Sequence, residues 1–123
     1  MPLSVRTQRL ARWLPALAWM IAIFGFSSVQ GSAIPAAVSP YSPIAHFAEY
    51  AVLAALLVFG AGGRRLTLSL AITLLLVCSL YGVTDEFHQS AVPGRMPDPV
   101  DWATDTAGAA TALAAIALMR RRS

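Results

Sequence analysis

The groups able to do chemistry in this chain are few and crowded together. Five of its six acidic residues (Asp85, Glu86, Asp98, Asp101 and Asp105) fall between residues 81 and 108, with His88, one of two histidines, and Arg95. Carboxylates beside imidazoles can pass protons as general acid and base or orient a polar head group, and a guanidinium among them can pair with a phosphate or carboxylate. A second set comes earlier. His46, Glu49 and Tyr50 stand at i, i+3 and i+4, so a helix there carries all three on one face.

Neither set matches a known catalytic signature. H-E-x-x-H and G-x-S-x-G are absent, and no closely spaced ligand triad is present, so no metal and no cofactor is assigned. The residues assigned to a ligand-binding site are His46, Glu49, Tyr50, Asp85, Glu86, His88, Gln89, Arg95, Asp101 and Asp105. If the chain is an enzyme, Glu49, Glu86 and His88 are the catalytic candidates, with a divalent cation between Asp85, Asp101 and Asp105 as one variant of that alternative.

The elements that must position these groups are apolar. The chain has 123 residues, 57% of them hydrophobic, and a mean hydropathy of +0.63, which is too greasy for a soluble domain of this length. Four apolar segments, residues 14–26, 44–61, 66–83 and 100–119, approach the length a helix needs to cross about 30 Å of hydrocarbon. The expected fold is a single all-α domain over residues 1–123. It is an integral membrane bundle of four transmembrane helices, near 13–28, 44–61, 66–89 and 99–119, with both termini cytoplasmic.

Arginine placement sets that orientation. All nine positive charges are arginine, and with a cytoplasmic N-terminus eight lie inside: Arg6, Arg9 and Arg12, then Arg64 and Arg65, then Arg120 to Arg122. Only Arg95 is outside. The net charge of +3 therefore reads as topology, and nucleic acid is not an expected partner. A rival reading takes the first 33 residues as a secretory signal with an arginine-rich start and small residues Gly31-Ser32-Ala33 at a cleavage site, leaving three spans. Cys78, alone in an apolar run, reads as a small buried hydrophobe.

Local signals place the acids. Asp98-Pro99-Val100-Asp101 is a helix start, with Asp98 as N-cap, Pro99 where a missing N–H costs nothing, and Asp101 near the positive end of the dipole. Asp105 escapes that explanation, two turns in. With Asp98, Asp101, Gly108 and Ala112 it occupies an arc of about 80°, and the small residues turn that arc into the bundle. Asp85, His88 and Gln89 share a face, with Glu86 about 100° away. At about 1.5 Å per residue, Glu49 and Asp105 stand at the same depth, so the acids should meet in a cavity open to the outside, partnered by Arg95 and by His46 or His88. Tyr41, Tyr50, Tyr81 and Trp102 read as an aromatic belt toward that boundary, and Pro93-Gly94 as a tight turn.

Taken in order, His46-Phe47-x-x-Tyr50, Asp85-Glu86-Phe87-His88-Gln89, Pro93-Gly94-Arg95 and Asp101-x-x-x-Asp105-x-x-Gly108 resemble the VanZ-like family of small bacterial membrane proteins. The resemblance covers about residues 27–112 and implies a multi-pass protein of the bacterial cytoplasmic (inner) membrane, related to one that confers low-level resistance to the glycopeptide teicoplanin. Many members carry Asn where this chain has Asp105. The expected partners are membrane lipids and a lipid-linked or lipophilic ligand at the outer leaflet, and the expected role is that of a cell-envelope binding protein. The alternative is a membrane-embedded hydrolase or transferase using carboxylate and histidine chemistry. Ion movement is disfavoured, because the inner halves of helices two to four carry no charge.

Overall fold

The computed structural model describes residues 1–35, 37, 42–63 and 65–123, and no strand occurs among them. Its helices are α1 (Val5–Ala11), α2 (Leu14–Ser27), a short 3-10 turn at Gly31–Ala33, α3 (Ser42–Ala61), α4 (Leu68–Ser90) and α5 (Pro99–Arg122). Tyr41 of the expected aromatic belt and Arg64 of the expected basic hairpin lie outside the described residues.

Each boundary has a local cause. Ser4 caps α1 by accepting from the Thr7 N–H, so the basic flank is itself helical, which its charge alone did not suggest. Pro15 has no N–H for the Ala11 carbonyl; the helix therefore breaks after Ala11, and α2 restarts with proline in its first turn. α3 ends where Gly62 takes φ +66°, a left-handed stop that suits glycine. Thr67 caps α4, and Asp98 caps α5 by accepting from the Val100 N–H at 2.9 Å. Arg120, Arg121 and Arg122 close the last turn of α5, where the carbonyl end of the dipole favours them.

Three stretches, Val5–Ser27, Ser42–Ala61 and Leu68–Ser90, are long and apolar enough to cross a membrane. α5 differs from them. Its 24 residues reach about 36 Å, long enough to span, yet Asp101, Thr104, Asp105 and Thr106 interrupt its first half. Of these four polar residues only Asp105 is fully enclosed by neighbouring helices, and Asp101, Thr104 and Thr106 are half-buried.

α3 and α5 form the tightest pair in the bundle. Gly108 makes this possible: a Cβ there would run into the main chain at Phe47, so the two backbones touch. Leu53, Ala54 and Leu57 of α3 meet Ala109 and Leu113 of α5, Leu74 and Cys78 of α4 close one side, and Ala16 and Ile23 of α2 join the same core. Cys78 is buried, as its setting predicts. Outward faces are apolar, with Leu17, Ile21, Leu76 and Leu80 exposed, whereas His46, Asp85, Glu86, Gln89 and Asp105 are buried. A soluble protein has the reverse distribution.

Candidate functional site

His46, in the first turns of α3, is the hub. Its Nδ1 lies 2.8 Å from Oδ1 of Asp105, and its Nε2 lies 3.7 Å from Oδ2 of Asp101. Asp101 and Asp105 are one turn apart on α5, so they reach the imidazole from one helix face. Asp105 is fully buried, and its second oxygen Oδ2 has no hydrogen-bond partner. Gly82 of α4 makes room for that oxygen, since a Cβ there would stand 3.2 Å from it.

The end of α4 brings the remaining acids. Glu86 accepts the Asp98 N–H through Oε2 at 2.8 Å, tying α4 to the cap of α5, while its buried Oε1 is unpartnered. Asp85 is buried, with the Ser27 hydroxyl beside its carboxylate and Gln89 Nε2 at 3.5 Å from Oδ2. One oxygen from each of Glu86 and Asp105 and one ring nitrogen of His46 lie within 4.8 Å of one another.

Above this cluster opens a cavity of about 870 Å³. Phe26, Ile34 and Met96 supply apolar wall, and His46, Glu49, Gln89, Arg95 and Asp101 supply polar groups. Arg95 is carried by the connection after α4, where Gly94 adopts φ +72° and the Pro93 carbonyl accepts the Gly31 N–H at 3.0 Å. The backbones at Gly31 and Gly94 are in contact, and a Cβ on Gly31 would overlap Gly94. The guanidinium donates to the Val29 carbonyl at 3.2 Å and forms no ion pair among the described residues. Arg95 thus folds back over the acids as the sequence suggests, without gripping one.

The ten sequence-derived binding residues divide into three groups. His46, Glu49, Gln89, Arg95 and Asp101 line the cavity. Asp85, Glu86, Asp105 and Tyr50 are buried beside it, Tyr50 completely and with its hydroxyl unpartnered. His88 faces elsewhere: its Nε2 is 2.8 Å from the Ser28 hydroxyl and its ring stacks on Phe24 at 3.9 Å between centroids. Its helix face pairs it with Asp85, but the ring of Phe24 on α2 gives it an apolar partner outside the cluster.

Some positioning residues carried no signal in the sequence. Trp19 donates to the Glu49 carbonyl at 2.8 Å and Tyr81 to the Met20 carbonyl at 2.6 Å, fastening α2 to α3 and α4. Trp102 donates to the Ser79 carbonyl at 3.1 Å, so it and Tyr81 serve as interhelical ties beyond any interfacial role. Ser27, buried at the end of α2, lines the cavity. A hydroxyl that ends an apolar run reads as a helix terminus from sequence, which is why it was not selected.

A helical bundle that exposes leucine and encloses carboxylates and imidazole has the construction of a small membrane protein with an internal polar site. The chain belongs to the VanZ/LLP1 family, whose family model matches residues 12–120 and so takes in every residue of the cluster and the cavity. No curated protein and no solved structure matches it.

Proposed function

We propose that the chain is a cell-envelope protein of the bacterial inner membrane whose cavity receives the anionic head group of a lipid-linked or lipophilic ligand at the outer leaflet. The observation that carries this reading is the cavity itself: about 870 Å³, apolar on Phe26, Ile34 and Met96, with Arg95 at its rim. Such a combination of greasy wall and sparse polar groups suits an amphiphile. Arg95 pairs with a phosphate or carboxylate, and Glu49, His46 and Asp101 accept or donate hydrogen bonds to the rest of the head group. A link to teicoplanin resistance follows from the family resemblance and belongs to the same proposal.

The orientation we infer has four spans, α5 included, and both termini in the cytoplasm. Arg12 beside Gly62, and Arg120 donating to the Gly63 carbonyl at 3.0 Å, support it by gathering the basic flanks at one end, opposite the acids. A second reading, a membrane-embedded hydrolase or transferase, draws on the His46–Asp105 pair, in which a buried carboxylate orients an imidazole whose other face lines the cavity.

The test is native lipid co-purification read by mass spectrometry. Wild type should retain a discrete lipophilic species that Arg95→Ala loses, with membrane insertion unchanged. Equal retention by both proteins overturns the binding reading.

A further inference from the structure

We propose that His46, Glu86 and Asp105 bind a divalent first-row transition cation of the Zn²⁺ or Mn²⁺ type. The sequence offers no closely spaced ligand triad, and its enzyme alternative places a cation between Asp85, Asp101 and Asp105. Folding selects a different set, one donor from each of α3, α4 and α5, with all three donor atoms inside a 4.8 Å span. Metal–ligand bonds of about 2.0 to 2.2 Å hold neighbouring donors roughly 3 to 3.5 Å apart, so binding would draw the three donors in from this span by side-chain adjustment.

The bonding inventory points the same way. Carboxylate oxygens deep in a protein are ordinarily hydrogen-bonded. Here Oδ2 of the fully buried Asp105 and Oε1 of Glu86 have no partner among the described residues. The partnered oxygens of Asp105 and Glu86 are already committed, to His46 and to the Asp98 N–H respectively. Glu86 is therefore held by the Asp98 N–H at one oxygen and open at the other, as a metal ligand with an outer support is, and Asp105 offers Oδ2 beside the imidazole it already meets.

Charge makes a third argument. Glu49, Asp101 and Asp105 act on His46 directly, and Asp85 and Glu86 are within electrostatic reach of the same ring. Against these five carboxylates stand one imidazole and Arg95, the latter bonded to a carbonyl at the rim. A dication would favour the ionised form of whichever of these carboxylates it meets. One imidazole with two carboxylates suits Zn²⁺ or Mn²⁺, whereas Mg²⁺ and Ca²⁺ favour oxygen donors alone. The cavity gives a route in, since His46 forms part of its wall and Glu49 and Asp101 make the approach negative.

The site shares His46 with the cavity wall, but neither Arg95 nor the apolar wall belongs to it, so the two readings can be tested apart. The experiment uses the full chain purified in detergent, stripped with chelator, then equilibrated with Zn²⁺ or Mn²⁺ and analysed for bound metal and for Tm. Wild type should take up about one equivalent, the stoichiometry of a single closed site, and its Tm should rise saturably with the cation while Mg²⁺ has no such effect. His46→Gln and Asp105→Asn should each weaken binding by about 100-fold or more, since even outer-shell partners are worth about 10- to 100-fold. Arg95→Ala should keep the metal whether or not it loses a lipid, which separates this proposal from the preceding one. Stripped wild type that binds neither cation and shows no Tm change overturns the site, a result that depends on no variant folding. Undiminished binding in the His46→Gln, Asp105→Asn double variant overturns it equally.

Discussion

At their arginine-rich end, α3 and α5 meet through Leu57, Leu53, Ala109 and Leu113, with Leu74 of α4 alongside; at the acidic end the same two helices enclose His46 and Asp105, with Glu86 of α4 alongside. The first contact is many small dispersion terms and tolerates substitution that keeps volume. The second is a few directional bonds among ionisable groups in a low dielectric, where removing one member exposes another. One helix pair therefore holds together redundantly at one end and by particular partners at the other. Gly108 lies near the junction, where the backbones come closest.

This contrast can be broken by substitution. The largest loss of stability is expected from His46→Ala, about 3 to 5 kcal/mol, because a fully buried carboxylate is left without its partner. Thermal unfolding in detergent reads it, and a loss no larger than that of a volume-keeping swap such as Leu57→Met, about 1 kcal/mol, would erase the distinction between the two ends. Gly108→Val should follow at about 1 to 3 kcal/mol, the range for overpacking, since the added side chain meets the main chain at Phe47 and forces α3 from α5. It should also loosen both ends together, visible as faster hydrogen exchange in the first turns of α3. The smallest effect belongs to Asp98→Ala, about 1 kcal/mol for a lost cap, with ligand retention unchanged. Its backbone N–H still donates to Glu86 in that variant, so retention falling there would mean that the Asp98 side chain does more than cap.

Much of this could be read before folding, and the exceptions have physical causes. α3, α4 and α5 follow from apolar length, from the glycines after Ala61 and from the Asp98-Pro99 start, all of which act within a few residues. The inward arc of Asp101, Asp105 and Gly108 was legible for the same reason. α1 was obscured because a run with three arginines reads as charge before it reads as helix. His88 and Arg95 are expected beside the buried acids, but a helix face says which residues travel together and nothing of what the next helix offers, and both spend their hydrogen bonds on α2 and its end. Phe24 and the Val29 carbonyl decided those two. Counting depth along the helices puts Asp85 and Glu86 alike near the outer surface, whereas both are buried, and Glu86, a hundred degrees round the helix, joins His46 and Asp105 because α5 begins directly beside it.

The bond from the Gly31 N–H to the Pro93 carbonyl joins two connections that are distant along the chain, and it uses main-chain atoms only. The doorway is thus latched by groups that every sequence possesses. Related chains can exchange the side chains around it to admit a different guest while the frame keeps its shape, provided the two glycines that let the strands of the latch touch are kept.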